Sequence, residues 1–167
     1  MSAENLSREA ATWVAQLLLL QEDRRALSEL RRCCSEPGRN RALPWLVPLG
    51  AAGFSHQEGI RRCLCLLFAR GMKPATRRIC FASTWRDFAW GQVGAQALEP
   101  SSSYSRRLMW LLDAERSQIA ERLIPVALRM RGDAEIDLVG LYLDLLFWGD
   151  KVKMNWGKNY WTQEAAR

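Results

Sequence analysis

The sequence predicts an all-α protein built from two small helical bundles that join near residue 100. Apolar residues recur at steps of three and four along most of the chain, as they do on one face of an α-helix. The alternation of apolar and polar residues that is typical of a strand never extends beyond four or five residues. With 167 residues, 49% of them hydrophobic, the chain is long enough for one large domain or two small ones.

The first half of the chain carries several helical segments that proline and glycine separate. Ser2 or Asn5 can cap a first helix, and its apolar face continues after a break near Asp23. Proline and glycine within Ser35–Gly38 end that helix. The segments predicted next are a short apolar element at 45–49, a helix at 56–71, an irregular basic stretch at 72–78, a short apolar piece at 79–82 and a helix that fades near residue 98.

The clearest boundary is the segment 99–103, where one proline and three serines indicate a linker or a tight loop. Ser103 can cap the helix that follows, and three or four helices are predicted beyond it. Pro125 kinks one of these helices, and Asp133 is a candidate cap for the next. We therefore predict an N-terminal helical domain over residues 1–99 and a C-terminal helical bundle over residues 100–167.

Residues for acid–base, nucleophilic or metal chemistry are sparse. The single histidine, His56, stands at a predicted helix start with no nucleophile near it in sequence, which favours a capping or solvent-facing role. Cys63 and Cys65 would point to different faces of a helix, and neither they nor Cys33–Cys34 have zinc-ligand spacing. We therefore expect a protein that is not an enzyme and that holds no metal and no cofactor.

Targeting segments are also missing from the sequence pattern. No charged and then apolar leader opens the chain, and the early apolar run Leu17–Leu20 is far shorter than the ~20 residues of a membrane span. An odd count of five cysteines fits free thiols in a reducing compartment. These observations predict a cytoplasmic protein that does not insert into a membrane.

Positive charge dominates and is unevenly distributed. Lys and Arg total 24 against 18 Asp and Glu, for a formal net charge of +6, and only four of the 24 are lysines. The guanidinium fork suits bidentate contact with phosphate, although codon usage in a GC-rich genome would give the same excess of arginine. The window 59–86 contains no acidic residue, which favours phosphate contact over a merely solvated face. Its basic residues are Arg61, Arg62, Arg70, Lys73, Arg77, Arg78 and Arg86.

Other basic residues form three smaller groups. They are Arg31 and Arg32 followed by Arg39 and Arg41; Arg106 and Arg107 followed by Arg116; and Lys151, Lys153 and Lys158. Eight tryptophans accompany them, and their helical spacing is typical of a core or a domain interface. Stacking on unpaired bases is the alternative role, for which Trp161 or Trp85 is best placed. No motif that reads base edges is present, so any binding of nucleic acid should be nearly independent of sequence.

Ordered along the chain, these features resemble the CasB family, the small subunit of the type I-E CRISPR surveillance complex called Cascade. The first similar segments are Trp13 in the first helix and Leu30-Arg31-Arg32 before Ser35-Glu36-Pro37. The next are the apolar WLVPLG at 45–50, with His56-Gln57 after it, and Arg106-Arg107-Leu108 before Leu111–Arg116. The tail LDLLFWGDKVKMNWGKNYW at 143–161 matches best, and the similarity spans nearly the whole chain.

This resemblance implies a non-catalytic, all-helical subunit of two bundles that serves CRISPR antiviral defence. In the family, two copies lie along the belly of Cascade beside its other subunits, contact the guide RNA assembly and stabilise the displaced DNA strand of the R-loop. The positions that the resemblance identifies as backbone contacts are Arg31, Arg32, Arg106, Arg107 and Arg116, with Lys151, Lys153 and Lys158 as further candidates.

The chain departs from some relatives at two positions. Ser55 and Asp113 stand where those relatives carry a basic residue, so the two contacts are either lost or moved to the pair Arg61 and Arg62. Arg77 and Arg78 are candidates from charge alone, because the segment around them aligns poorly. The alternative hypothesis is a helical adaptor whose basic surface binds an acidic protein partner.

Overall fold

A computed structural model describes residues 2–162 and consists mainly of helices, which confirms the all-α prediction. The β-structure within this range consists of two strands of two residues each, which pair in parallel. The helices of the described chain are α1 (Ala3–Leu18), α2 (Arg24–Leu30), α3 (Gly38–Arg41), α4 (Leu43–Leu46), α5 (His56–Ala69), α6 (Phe81–Val93), the 3-10 helix η1 (Gly94–Leu98), α7 (Ser103–Leu112), α8 (Ile119–Leu128), α9 (Leu138–Leu146) and α10 (Asp150–Trp161), and the strands are β1 (Lys73–Pro74) and β2 (Glu135–Ile136).

Helix length bears on the membrane prediction. The longest described helix, α1, has 16 residues, whereas a helix that crosses a bilayer needs about 20 predominantly apolar ones. Among the helices of residues 2–162, none combines the length and the hydropathy of a membrane span.

Short polar side chains fix the start of the first two helices, as the sequence indicates. Ser2 caps α1, and its Oγ accepts a hydrogen bond from the backbone N–H of Asn5 at 3.3 Å. Asp23 caps α2 by accepting from the backbone N–H of Ala26 at 3.0 Å. The expected break in the first helical segment is therefore confirmed, with the cap of the second helix at Asp23 itself.

Two other caps differ by a few residues from the sequence-based expectation. Ser102, rather than Ser103, caps α7, and Asp137, rather than Asp133, caps α9. The second shift has a physical cause, because residues 135–136 pair with β1 and α9 can begin only after that strand. The four helices beyond residue 100 confirm the predicted three or four.

Contacts sort most of the helices into two groups that alternate along the chain and that meet where α7 packs on α8. In the first group, α1 packs on α9, and α5 packs on α2, α8 and α9. In the second group, α6 packs on η1 and α10, and α7 packs on η1. The chain crosses between the groups at 70–80, 113–118 and 147–149, so each group contains segments from before and after residue 100. Buried apolar residues of both groups form one continuous core.

Residues 99–102 connect η1 to α7 inside the second group. Ser102 Oγ donates to the carbonyl oxygen of Ala97 at 2.6 Å, and Ser105 Oγ donates to the same oxygen at 2.8 Å. The segment is thus the tight loop that the sequence allows. The division into domains 1–99 and 100–167 stays a prediction, and residues 163–167 of the second range lie outside the described residues.

Tryptophans anchor the core of both groups. Trp13 Nε1 donates to the Leu49 carbonyl oxygen at 2.7 Å, and Trp148 Nε1 donates to that of Ala114 at 2.8 Å. Trp156 packs edge-on against Trp148 with ring centroids 5.0 Å apart. Each buried indole has a partner for its N–H, which removes the cost of burying that donor. The structure therefore agrees with the interpretation of most tryptophans as core residues.

Candidate nucleic-acid interface

A cavity of about 360 Å³ is lined by four arginines and by no acidic residue. We call this site the arginine cradle and define it as Arg31, Arg32, Arg70 and Arg131. The sequence-based candidates Arg31 and Arg32 are thereby brought next to two arginines that lie 38 or more residues further along the chain. An anion is the ligand class that such a lining favours.

Three helix ends position these arginines. Arg31 and Arg32 directly follow α2, Arg70 directly follows α5, and Arg131 lies three residues beyond α8. The next residues after Arg70 and Arg131 are glycines with φ of 93° and 85°, the left-handed conformation that commonly closes a helix. The carboxyl end of a helix carries partial negative charge, so the three ends together offset the repulsion among the four guanidinium groups.

Two hydrogen bonds orient half of the arginine cradle. Arg31 Nε donates to the carbonyl oxygen of Ala69 at 3.3 Å, and Arg70 Nε donates to the carbonyl oxygen of Arg31 at 3.0 Å. Within residues 2–162, Arg32 and Arg131 make no side-chain hydrogen bond and no ion pair. The Nη atoms of all four side chains therefore remain able to donate to a ligand.

The predicted pair Arg61 and Arg62 is committed to internal contacts instead. Arg61 donates to the Tyr142 hydroxyl at 2.9 Å and forms an ion pair with Glu9 at 3.3 Å. Arg62 Nη1 donates to two carbonyl oxygens of the loop 51–53, at 2.8 and 2.6 Å. Both side chains hold the loop before α5 against the helix, and their contact with nucleic acid stays a prediction.

Arg77 and Arg78 lie in the connection between β1 and α6. Arg77 is exposed and makes no side-chain contact with the described residues. Arg78 is also exposed, donates to Ser7 Oγ at 3.2 Å and lies 4.0 Å from a carboxylate oxygen of Asp137. Only Arg77 of this pair is without an internal partner in the part of the chain that the structure describes.

The pair Arg106 and Arg107 lies on α7. Arg106 is exposed and makes no side-chain contact within residues 2–162, whereas Arg107 is half-buried near Arg129. Partial burial, together with the positive charge of Arg129, lowers the pKa of the Arg107 guanidinium below its ordinary value. Arg116 lies elsewhere, where its Nη2 donates to the Leu146 carbonyl oxygen at 3.0 Å.

The three predicted lysines share α10. Lys151 and Lys158 are exposed, and the ammonium of Lys153 lies 5.8 Å from the ring centroid of the buried Trp148. Seven residues separate Lys151 from Lys158, which places them about two turns apart along the helix. The structure thus offers a basic helix surface here, but it does not bring these lysines into the arginine cradle.

Sequence reasoning missed two members of the arginine cradle. Arg70 belongs to the basic window but is not among the predicted site residues, and Arg131 lies outside every predicted basic group. A usable signal was present, since both stand in an Arg-Gly pair directly after an apolar helical segment. Such a pair puts the arginine at the carboxyl end of a helix, where cations are favoured.

Of the two tryptophans best placed by sequence for base stacking, Trp85 is wrong and Trp161 stays a prediction. Trp85 is wholly buried, with 0% of its surface exposed, so it cannot stack on a nucleic-acid base. Trp161 is half-buried, and its Nε1 donates to Ser105 Oγ at 3.3 Å. Trp110, which was not singled out, is 44% exposed. The helical spacing of the tryptophans did not distinguish this side chain from those in the core.

The thiols and the histidine have internal roles. All five cysteines are free, and burial raises the pKa of the Cys63 and Cys65 thiols. Ser55, not His56, caps α5, and His56 Nε2 lies 2.9 Å from the Leu145 carbonyl oxygen. Within residues 2–162 no group of three or more His, Cys, Asp or Glu side chains could hold a metal ion.

Comparison with known proteins places the whole arrangement among CRISPR-associated proteins. The family model of CRISPR-associated protein Cse2 matches residues 26–161. The crystal structure of CasB from Thermus thermophilus has a TM-score of 0.66 and 24% identity over 96% of this chain and 99% of that one. A second crystal structure, of a CRISPR-associated protein of the Cse2 family from Thermus thermophilus, has a TM-score of 0.69 and 25% identity, with coverage of 96% and 99%. A search of curated proteins finds no match.

Proposed function

Because this chain belongs to the Cse2 family of CRISPR-associated Cascade subunits, we propose that it binds nucleic-acid backbone and stabilises the R-loop without catalysing a reaction. The observation that supports this most is the arginine cradle, four guanidinium groups around one cavity with no carboxylate among them. The ligand we propose for it is a phosphate group of the guide RNA or of the displaced DNA strand. The partners are the other subunits of the complex and a second copy of this chain.

Phosphate is the anion that suits this site for three reasons. A guanidinium group donates two parallel hydrogen bonds to phosphate oxygens, and several such groups around one cavity allow more than one contact. The backbone carbonyl bonds of Arg31 and Arg70 hold their side chains in place before a ligand arrives. Contacts of this kind position a strand without reading its bases, so the proposed binding is independent of sequence.

Charge reversal of the two unpartnered arginines tests the proposal. In an Arg32→Glu and Arg131→Glu double variant, each lost phosphate contact should make the slope of log affinity against log salt shallower by about 0.7 for single strands or about 0.9 for duplex. The measurement is the affinity of the full complex for target DNA at several salt concentrations. Binding as tight as that of the wild type, with the same slope, would contradict the assignment.

Arg8→Glu is the matched control. Arg8 is exposed on α1, makes no side-chain contact within the described range and does not line the arginine cradle. Arg8→Glu changes the net charge by the same amount as Arg32→Glu alone or Arg131→Glu alone. A specific site predicts a much smaller effect for Arg8→Glu than for either cradle substitution alone, whereas equal effects would indicate only long-range attraction.

The remaining candidates extend the proposed interface. Arg77, Arg106, Lys151 and Lys158 are exposed and free of ion pairs among the described residues, so each can contact backbone without breaking an internal contact. Arg116 is exposed and uses one Nη for the Leu146 carbonyl oxygen, which leaves its other donors for a ligand. We propose that these residues bind along the same strands as the arginine cradle, with smaller individual effects.

One observation favours the adaptor hypothesis as a second candidate. Phe54 is 83% exposed beside a cavity of about 460 Å³, and the guanidinium of Arg39 lies 4.9 Å from its ring centroid. A basic residue over an exposed aromatic ring suits a protein partner with acidic and apolar side chains. The two candidates differ in the ratio of absorbance at 260 and 280 nm after a low-salt preparation. An absorbance ratio that shows no co-purified nucleic acid, together with no gel shift, favours the adaptor.

A further inference from the structure

The indole of Trp110 is held in one orientation on the outer surface of α7. Its exposed fraction of 44% makes it the one tryptophan among the large exposed apolar residues of the described chain. The Arg122 guanidinium lies 5.2 Å from the ring centroid and covers part of the indole. Arg122 is fixed in turn, because its Nη1 donates to the Trp110 carbonyl oxygen at 2.8 Å and its Nη2 donates to Gln118 Oε1 at 3.3 Å.

Basic side chains surround this indole on one side. Arg106 precedes Trp110 by one helical turn, about 6 Å along the axis, and is exposed without an internal contact among residues 2–162. Arg107, three residues before Trp110 on the same side of α7, adds a second positive charge. One acidic residue, Asp113, follows Trp110 on the same side of the helix and limits the basic surface at that end.

We propose that Trp110 stacks on an unpaired base of a single-stranded nucleic acid whose neighbouring phosphates bind Arg106 and Arg107. This inference rests on the proposed function and adds the class of strand that this surface takes. In a duplex each base is stacked on its neighbours and its face is not available, whereas a single strand offers its bases to an aromatic side chain. The arginine cradle contains no aromatic residue and binds backbone of either kind.

Two oligonucleotides of the same length test the inference on the full-length chain. One is a 20-nucleotide oligothymidylate, and the other is abasic at every position, so both present the same phosphates. At low salt the wild type should bind the first at least about fivefold more tightly, because stacking of one base on an aromatic side chain is worth ~1 kcal/mol or more. Trp110→Leu should remove this preference, while Trp110→Phe should keep part of it.

Each result decides between stacking and backbone contact. Equal affinity of the wild type for the two oligonucleotides, or an unchanged preference in Trp110→Leu, would overturn the stacking inference and leave the proposed function standing. If the wild type bound neither oligonucleotide, the stacking inference and the proposed function would both be overturned. Loss of assembly into the complex in Trp110→Leu, with the preference intact, would identify a protein contact instead and also overturn stacking. Asp113→Lys should strengthen the binding of both oligonucleotides without changing the ratio of their two affinities. The substitution adds positive charge but no aromatic ring.

Discussion

The pair Arg61 and Arg62 and the arginine cradle show what the same residue type does at two positions relative to a helix. Arg61 and Arg62 lie in the middle of α5 and donate to the hydroxyl of Tyr142 and to carbonyl oxygens of the preceding loop. Arg70, at the end of the same helix, faces three other arginines and no acid. All three residues belong to one acid-free window of the sequence, yet only Arg70 lines the arginine cradle.

The direction of a side chain, rather than local charge density, separates an arginine with internal partners from one that we propose binds a ligand. An arginine within a helix lies against whatever packs beside that helix, and beside α5 this is a loop with free carbonyl groups. The arginines just past the helix ends donate to backbone carbonyl groups through Nε alone, as Arg31 and Arg70 do, or make no hydrogen bond, and the helix dipole stabilises their charge there. Measurements of stability and of nucleic-acid binding for variants of both sets test this contrast.

The largest effect on stability is expected for Arg61→Met. The substitution keeps a long apolar stem but removes the donors to Tyr142 and Gly50 and the partner of Glu9. Leaving these groups underbonded in a half-buried site should lower the free energy of unfolding by about 2–3 kcal/mol. Urea denaturation measures this loss, and the salt slope of nucleic-acid binding by the folded variant should be unchanged. A normal stability with a shallower slope would reverse the assignment of Arg61.

A half-buried carboxylate, that of Asp144, extends the contrast to acidic residues. Burial raises the pKa of the Asp144 carboxyl above its ordinary value, and the hydrogen bond from Trp156 Nε1 at 2.8 Å opposes this shift. The folded protein therefore holds this proton more tightly than the unfolded chain does. The resulting stability is present below the unfolded pKa and is lost as the pH rises through the folded one.

Asp144→Asn should consequently be more stable than the wild type at pH 7, by less than about 1 kcal/mol, since the amide oxygen can still accept from Trp156. The advantage should disappear at a pH below the ordinary range of an aspartate. Urea denaturation of both proteins at neutral and acidic pH measures it. If the advantage is the same at both pH values, titration of Asp144 is not its cause.

Local sequence signals predicted the helices but not which side chains meet. The break at Asp23 depends on a few neighbouring residues, and the sequence shows it directly. The predicted stop at Ser35–Gly38 is wrong, because α2 already ends at Leu30 and Gly38 begins α3. The arginine cradle depends on three helix ends that are far apart in sequence, and no local pattern states that they converge. The burial of Trp85 and the exposure of Trp110 differ for the same reason, because both stand in amphipathic helices with similar spacing.

The smallest effect on stability is expected in the arginine cradle. Arg32→Gln and Arg131→Gln remove two positive charges that have no hydrogen bond or ion pair within the described residues, and they add no negative charge at a helix end. Weaker repulsion among the remaining arginines should offset the lost interaction with the helix dipole, so the free energy of unfolding should stay within about 0.5 kcal/mol of the wild type. The same double variant should bind nucleic acid more weakly and with a shallower salt slope. Urea denaturation and salt-dependent binding of one preparation measure both quantities. A loss of stability comparable to that of Arg61→Met, with binding unaltered, would show that these arginines too serve the fold, and the contrast between the two sets would disappear.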